Sequence, residues 1–379
     1  MTVHTTDMGA RTDALADALQ VDGRFTSPRI RDALHAVPRH LFAPTRGWYA
    51  ADGPGPRHGI DRDADPSGWW DAVYSDGSIV TQAADGAGDP AGGVAEATSS
   101  LSSPGVVVAF LELLDVRPGH RILEIGTGTG WTAALLTALG AYVTTVEIDS
   151  GLALTAHETL VMAGFDPHVI AADGTLGAPD HAPFDGVHAT CGVDRIPYTW
   201  VEQTRPGGRL VLPWMPEYGE GHKAVLTVTG DGRASGRLAG GADYMVLRAQ
   251  RSTLWIPDDI TDAEEAATHL DPAEVTGSHG ADVAITAALP DVMGAPRTRD
   301  GVTELELADT AATSWARVRQ GEGEHRVWQA GPRRLWDEVA DAYMRWVGWG
   351  RPAQTAFGLT VGPDRQVVWR DDPSNIISR

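Results

Sequence analysis

Arg121-Ile-Leu-Glu-Ile-Gly-Thr-Gly-Thr-Gly-Trp131 is the stretch on which the fold turns. A short apolar run ends at Glu124 and Ile125 and passes directly into Gly126, Gly128 and Gly130, after which Trp131 to Leu139 reads as a helix. Glycines at such a turn let the backbone bend tightly and approach a ligand, while the helix N-terminus offers unpaired amides and a partial positive charge. A nucleotide-type ligand fits there. Dinucleotide enzymes want a further glycine one position beyond Gly130, and that position holds Trp131.

Outward from this turn, short β-type runs alternate with helical ones from Gly105 to Arg251. Arg121 to Ile125, Tyr142 to Glu147, His168 to Ala171, Gly186 to Thr190 and Arg209 to Leu212 predict strands; Trp131 to Leu139, Leu152 to Ala163 and Tyr198 to Thr204 predict helices. Alternation of this kind implies a parallel sheet covered on both faces. Ala224 to Thr229 and Tyr244 to Ala249 follow without a helix between them, as an antiparallel pair would. The fold class read here is α/β: a Rossmann-like sheet with an antiparallel C-terminal strand pair, plus a small α+β C-terminal domain.

Three regions are expected: residues 1–104, 105–251 and 252–379. Two helices open the first, one over residues 8 to 20 and one starting at Ser27 and Pro28. From Ala51 to Ser100 there are 9 glycines, 4 prolines and 9 acidic residues against Arg57 and Arg62, which reads as a long loop, either a functional lid or a disordered insertion. In the last region 6 of the 13 tryptophans lie between Trp315 and Trp369. There Leu335, Trp336, Val339, Tyr343 and Trp346 recur at helical spacing, and Phe357 to Val361 and Gln366 to Trp369 flank a turn.

The 379 residues include 51 acidic and 30 basic side chains, a net charge of -21 that repels phosphate backbones, so nucleic acid is not an expected partner. The longest apolar run, Val106 to Leu111, is too short for a bilayer, and we expect a cytoplasmic protein with no membrane partner. The single cysteine, Cys191, cannot form an internal disulfide, and the 13 histidines show no metal-ligand spacing, so no metal is expected.

Acidic residues stand where the predicted strands end. Glu147 lies 21 residues past Gly126, where a carboxylate accepts hydrogen bonds from both ribose hydroxyls, and Asp173 with Gly174 follows the third strand, where an acidic side chain meets the adenine amino group. All sit at the carboxyl edge of the sheet, the edge at which open α/β sheets bind ligands. Glycine at 126, 128 and 130 preceded by Glu124 is the methyltransferase variant of the loop. We therefore expect Glu124, Gly126, Thr127, Gly128, Gly130, Trp131, Glu147, Ile148, Asp173 and Gly174 to hold S-adenosylmethionine and its product S-adenosylhomocysteine.

With these motifs in order, the chain closely resembles the protein-L-isoaspartate O-methyltransferase family. Arg121 to Trp131 looks like its first motif. Ala172-Asp-Gly-Thr-Leu-Gly177, Ala182-Pro-Phe-Asp185 and Thr190 look like its middle motifs, and Gln203 with Pro206-Gly-Gly-Arg-Leu-Val-Leu-Pro213 looks like its late strand. Val37-Pro-Arg-His-Leu-Phe-Ala-Pro44 resembles its N-terminal signature. The resemblance covers about residues 10 to 250 and implies a carboxyl O-methyltransferase acting on Asp or isoaspartate in a peptide or protein.

The family's substrate-side Thr-Ile-Ser-x-Pro segment resembles Ser100-Leu-Ser-Ser-Pro104, which implies Ser102 as the active-site serine. Ser100 replaces the threonine, and the stretch from Tyr74-Ser-Asp76 to Ser100 is longer than usual. Asp76, Ser100, Leu101 and Ser103 are the expected substrate-side residues. Helix capping is the competing role for Ser102, because Ser102 and Ser103 both precede Pro104. Cys191, near the cofactor edge, reads as a buried small residue rather than a nucleophile.

The C-terminal extension is expected to be absent from ordinary repair enzymes. Gly331-Pro-Arg-Arg-Leu-Trp-Asp-Glu338, Gly350-Arg-Pro352, Phe357-Gly-Leu-Thr-Val361 and Trp369-Arg-Asp-Asp-Pro373 resemble the tail of actinobacterial relatives that work beside ATP-grasp ligases on crosslinked ribosomal peptides, the graspetides. That resemblance implies a ligase-modified precursor peptide as substrate and an aspartimide, a succinimide, as product. General isoaspartyl repair and a non-catalytic cofactor-binding protein are the alternatives.

Overall fold

The structure, a computed structural model, describes residues 8–53, 55–93, 96–257 and 263–378. Its contacts group into two units: residues 1–191 with 202–211, and residues 192–201 with 212–379.

The first unit opens with α1 (Met8–Val21) and α2 (Pro28–Ala36), which bury Leu15, Leu19, Ile30 and Leu34. Next come β1 (Arg46–Ala51), β2 (Arg57–Asp61), α3 (Pro66–Val73), β3 (Gly77–Ala83) and β4 (Ala97–Leu101). The strands pair antiparallel in the order β2-β1-β3-β4. The expected lid or insertion over residues 51–100 is thus a folded sheet carrying one helix. Several of its glycines are close-packed: a Cβ on Gly77 would lie 2.4 Å from the Tyr49 ring, and one on Gly93 would lie 2.6 Å from the Trp48 ring. Read as composition alone, the same glycines look like loop.

Then follow α4 (Pro104–Leu114), β5 (Arg121–Ile125), α5 (Trp131–Ala138), β6 (Tyr142–Glu147), α6 (Ser150–Met162), β7 (His168–Ala171) and β8 (Phe184–Ala189). Both α7 (Tyr198–Glu202) and β9 (Thr204–Trp214) straddle the division of the chain. The strands run parallel in the order β9-β8-β5-β6-β7. From β5 the chain winds outward through β6 and β7, then returns to place β8 on the other side of β5. That reversal opens a crevice at the carboxyl end of β5. Leu123, Ile125, Leu136, Val146, Leu160, Val187 and Leu210 form the core around it.

In the second unit, β10 (Gly221–Val228) pairs antiparallel with β11 (Ala234–Ala242). The sequence reading gave that role to Tyr244–Ala249, which forms no strand. The reason is again glycine: β11 reads Ala-Ser-Gly-Arg-Leu-Ala-Gly-Gly-Ala and carries no β-branched residue. Its backbone is admitted because a Cβ at Gly236 would lie 1.9 Å from the Val225 carbonyl oxygen. A five-stranded antiparallel sheet comes from β12 (Glu264–Thr268), β13 (Val292–Arg299), β14 (Val302–Asp309), β15 (Trp315–Arg319) and β16 (His325–Ala330), in the order β12-β16-β15-β14-β13. With it go α8 (Pro272–Thr276), α9 (His279–Ala288) and α10 (Leu335–Gly348). Leu335, Trp336, Val339, Tyr343 and Trp346 of α10 are all buried, as their spacing predicts.

The final hairpin, β17 (Phe357–Val361) and β18 (Gln366–Arg370), does not join that α+β layer; β17 pairs with β11. A boundary at residue 251 therefore does not describe the structure. The strand that ends the chain's regular structure belongs with strands that precede the expected boundary, and the N-terminal region groups with the parallel sheet. No helix among the described residues is long and apolar enough to cross a membrane.

Candidate active site

The turn after β5 is built as its glycines require. Gly126, Gly128 and Gly130 have φ of 92°, 53° and 88°, the left-handed region that side chains disfavour. A Cβ on Gly126 would lie 2.6 Å from Thr190 Oγ1, whose hydroxyl donates to the carbonyl of Gly126, and one on Gly174 would lie 2.6 Å from Ile125. Gly130 caps α5, an apolar helix that anchors the loop through Leu135 and Leu136.

Two carboxylates lie under and beside this loop. Glu147, 7% exposed at the end of β6, accepts from the Gly128 amide at 2.9 Å with one oxygen and from the Asp149 amide at 3.1 Å with the other. Ile148, directly after it, is 46% exposed, an apolar surface at a strand end. Glu124 on β5 is fully buried. Its Oε2 accepts from Thr145 Oγ1 at 2.6 Å, which in turn lies 2.7 Å from Thr127 Oγ1, while Oε1 has no partner among the described residues. Burial raises its carboxyl to about 8 despite the Thr145 hydrogen bond, and the nearby charge of Glu147 adds to the rise. Asp173 caps the short turn Gly174–Leu176, accepting from the Thr175 amide at 2.9 Å.

One expected member, Trp131, is a packing residue. The Trp131 indole is buried, donates toward the Val37 carbonyl at 3.4 Å and lies under the Arg39 guanidinium, 5.2 Å from ring centre to Cζ. It packs; only its place at the head of α5 belongs to the loop. Cys191, expected to be buried, is half-buried, and its thiol is pushed up to about 12 by desolvation and by the charges of Glu147 and Glu124.

The substrate-side segment runs out of β4. Ser100 and Leu101 end that strand, paired with Val80 and Ile79, and β4 lies against the glycine loop: a Cβ on Gly128 would stand 3.7 Å from the Ser100 carbonyl oxygen and from Ser99 Oγ. Gln82 on β3 adds a second tie, donating to Asp149 Oδ2 at 3.0 Å beside the start of α6.

Asp76 and Ser103 hold one another. Asp76 Oδ1 accepts from the Ser103 hydroxyl and from the Gly105 amide at 2.7 Å, so the capping function at α4 falls to Asp76, with Ser103 as the N-terminal flanking residue. This leaves the Ser102 hydroxyl with no hydrogen bond among the described residues, so helix capping is not its role. Asp76, placed on the substrate side from sequence, acts here through the segment it anchors.

Arg39 has no assigned role in the sequence reading, although it sits inside the Val37–Pro44 signature. It is 2% exposed and donates to the carbonyls of Val73, Gly77 at 2.9 Å, Leu101 at 3.4 Å and Ser102 at 2.9 Å. One guanidinium thereby joins β3, β4 and the backbone of Ser102, and its stacking on Trp131 ties the group to α5. Burial lowers it to about 9, still charged at neutral pH, with Asp76 opposing the loss. A lone arginine in a short turn-rich segment carries no periodic signal; only its burial exposes the role.

The arrangement fits a nucleoside-bearing ligand. The glycine turn presents backbone at close approaches that side chains would not allow, Glu147 stands beside it, and Glu124 keeps an oxygen without a partner among the described residues. No group of three His, Cys, Asp or Glu among the described residues could hold a metal.

The comparisons agree with this geometry. The family described as Protein-L-isoaspartate(D-aspartate) O-methyltransferase matches residues 90–248. The protein-L-isoaspartate O-methyltransferase of Methanopyrus kandleri is 31% identical over 243 residues, 62% of this chain and 90% of the relative. That of Aeropyrum pernix is 32% identical over 234 residues, 59% of this chain and 74% of the relative. A solved protein-L-isoaspartate O-methyltransferase superposes with a TM-score of 0.55 over 95% of this chain and 100% of its own, at 19% identity, a likeness of fold. That coverage corrects one expectation: a C-terminal extension of this size does not by itself set the chain apart from proteins bearing the family name.

Proposed function

The chain belongs to the protein-L-isoaspartate O-methyltransferase family, and from that premise we propose that this S-adenosylmethionine-dependent carboxyl O-methyltransferase esterifies an Asp side chain in a crosslinked ribosomal peptide, leading to an aspartimide. The observation that carries the finer part is the resemblance of Gly331–Glu338, Gly350–Pro352, Phe357–Val361 and Trp369–Pro373 to the tail of peptide-pathway relatives. General isoaspartyl repair is the second reading, favoured by the relatives' names and by the solved structure's coverage.

S-adenosylmethionine, when bound, supplies an electrophilic methyl group on a sulfonium. Glu147, Ile148, Asp173 and the Gly126–Gly130 backbone would hold it. The acceptor carboxylate is ionised at neutral pH, with an ordinary pKa of about 4, so the chain needs no strong base. Its task is to place that oxygen in line. Ser102, whose hydroxyl is uncommitted, is assigned to the substrate carboxylate, and Arg39 fixes its backbone. The site also withholds a competitor, because burial keeps the Cys191 thiol protonated. In the ester product, the next backbone nitrogen attacks the side-chain carbonyl, loses its proton and expels methanol, closing the five-membered imide. A crosslinked peptide loses less conformational entropy on binding than an open one.

Mass spectrometry of a crosslinked Asp peptide, its uncrosslinked precursor and an isoaspartyl peptide, each incubated with enzyme and cofactor, separates the readings. The proposal expects methyl gain and methanol loss on the first and slow turnover of the others. Brisk turnover of the isoaspartyl peptide alone restores repair.

A further inference from the structure

The second unit contains a cavity none of whose lining residues is assigned to the methyl transfer. It has a volume of about 270 Å³ and is lined by Tyr218, Glu220, Ser278, His279, Asp282 and Leu305 among others. Its floor is buried: Tyr218, Asp282 and Leu305 are 2%, 7% and 0% exposed. Asp282 Oδ2 accepts from the Glu220 amide at 3.0 Å and lies 3.0 Å from His222 Nε2. His222 is itself fully buried, its Nδ1 2.6 Å from Gln354 Nε2. Above the floor, Glu220 and His279 stand exposed at the rim, 3.3 Å apart.

Two features are not explained by packing. The Tyr218 hydroxyl is buried with no hydrogen-bond partner among the described residues, a state unfavourable for a polar group. Glu220 and Asp282 also bring two carboxylates to one cavity in a chain of net charge -21. Burial pushes the Asp282 carboxyl up against the pull of His222. The N-terminus of α9 would ordinarily favour an anion, but Asp282 in its first turn already complements it. Leu305 and Pro296 provide an apolar wall.

We propose that this cavity binds a primary ammonium on an alkyl stem, such as a lysine side chain: the ammonium donates to Asp282, Glu220 and the Tyr218 oxygen, and the stem lies on Leu305 and Pro296. The inference is independent of which aspartyl substrate is methylated.

Calorimetry on the full-length protein tests it with N-acetyl-lysine methylamide, the norleucine counterpart, butylamine and inorganic phosphate. The lysine amide and butylamine are expected to bind, the norleucine amide and phosphate not. Glu220→Gln and Tyr218→Phe should each weaken lysine-amide binding about tenfold, the loss of one charge-assisted hydrogen bond, with melting temperatures confirming that both variants fold. Saturating S-adenosylhomocysteine should leave the affinity unchanged. Binding of the lysine amide without butylamine, equal binding of the norleucine amide, binding of phosphate in their place, either variant unchanged, or competition by S-adenosylhomocysteine would each overturn the proposal.

Discussion

Glu124 is a carboxyl placed where its charge is least tolerated, and stability should record it. Its folded pKa of about 8 stands above the ordinary 4.5, so its contribution to stability is fully present below about 4.5 and is lost as pH rises toward 8. In cofactor-free protein, Glu124→Gln should therefore flatten the pH dependence of the melting temperature between those limits, gaining on the wild type as pH rises. Parallel curves would contradict the assignment. Ser102→Ala should leave S-adenosylhomocysteine affinity nearly intact and slow methyl transfer, with Ser103→Ala as the neighbouring control; equal loss of stability and activity would return Ser102 to a structural role. Glu147→Ala should weaken cofactor affinity by about 1 to 3 kcal/mol, since ribose hydroxyls and the Gly128 amide lose a shared acceptor. At this scale the sequence shows the acids at strand ends, because a chemical type at a fixed spacing is a local signal. It does not show Arg39 or the tie from Gln82 to Asp149, contacts that span 34 to 67 residues.

Among the elements, β5, β6 and β7 have the bounds their sequences predict, because strands of a parallel sheet read as short β-type runs between turn residues. Among the missed elements, β12, β14, β15 and β16 contain no glycine, whereas β1, β2, β3 and β11 contain glycine, which looks the same in a loop and at a close backbone approach. The difference is testable. Gly126→Ala sets a Cβ 2.6 Å from Thr190 Oγ1 at a φ of 92°, and should abolish cofactor binding in calorimetry, the strain alone costing about 1 to 3 kcal/mol. Gly23→Ala, which also has positive φ but nothing within 4 Å, should lower the melting temperature without touching cofactor affinity. Equal behaviour of the two would mean that the loop's conformation, not its close approach, is what the cofactor needs.

For the molecule as a whole, the parallel sheet positions a cofactor loop, the β1–β4 sheet brings Ser100 to Ser103 to its edge, and Arg39 and Gln82 tie the two together. Of the second unit the sequence shows α10, β17, β18 and most of β10, but neither the five-stranded sheet nor the assembly, since the pairing of β17 with β11 joins residues more than 100 positions apart. The central claim is that the methyl group goes to a carboxylate oxygen. It is tested most directly by following a radiolabelled methyl group from S-adenosylmethionine into an Asp-containing peptide and then exposing the product to mild base. We predict that the label leaves the peptide as volatile methanol while the peptide becomes an imide or its hydrolysis product. Label that stays on the peptide through base would place the methyl on nitrogen or sulfur and contradict the account.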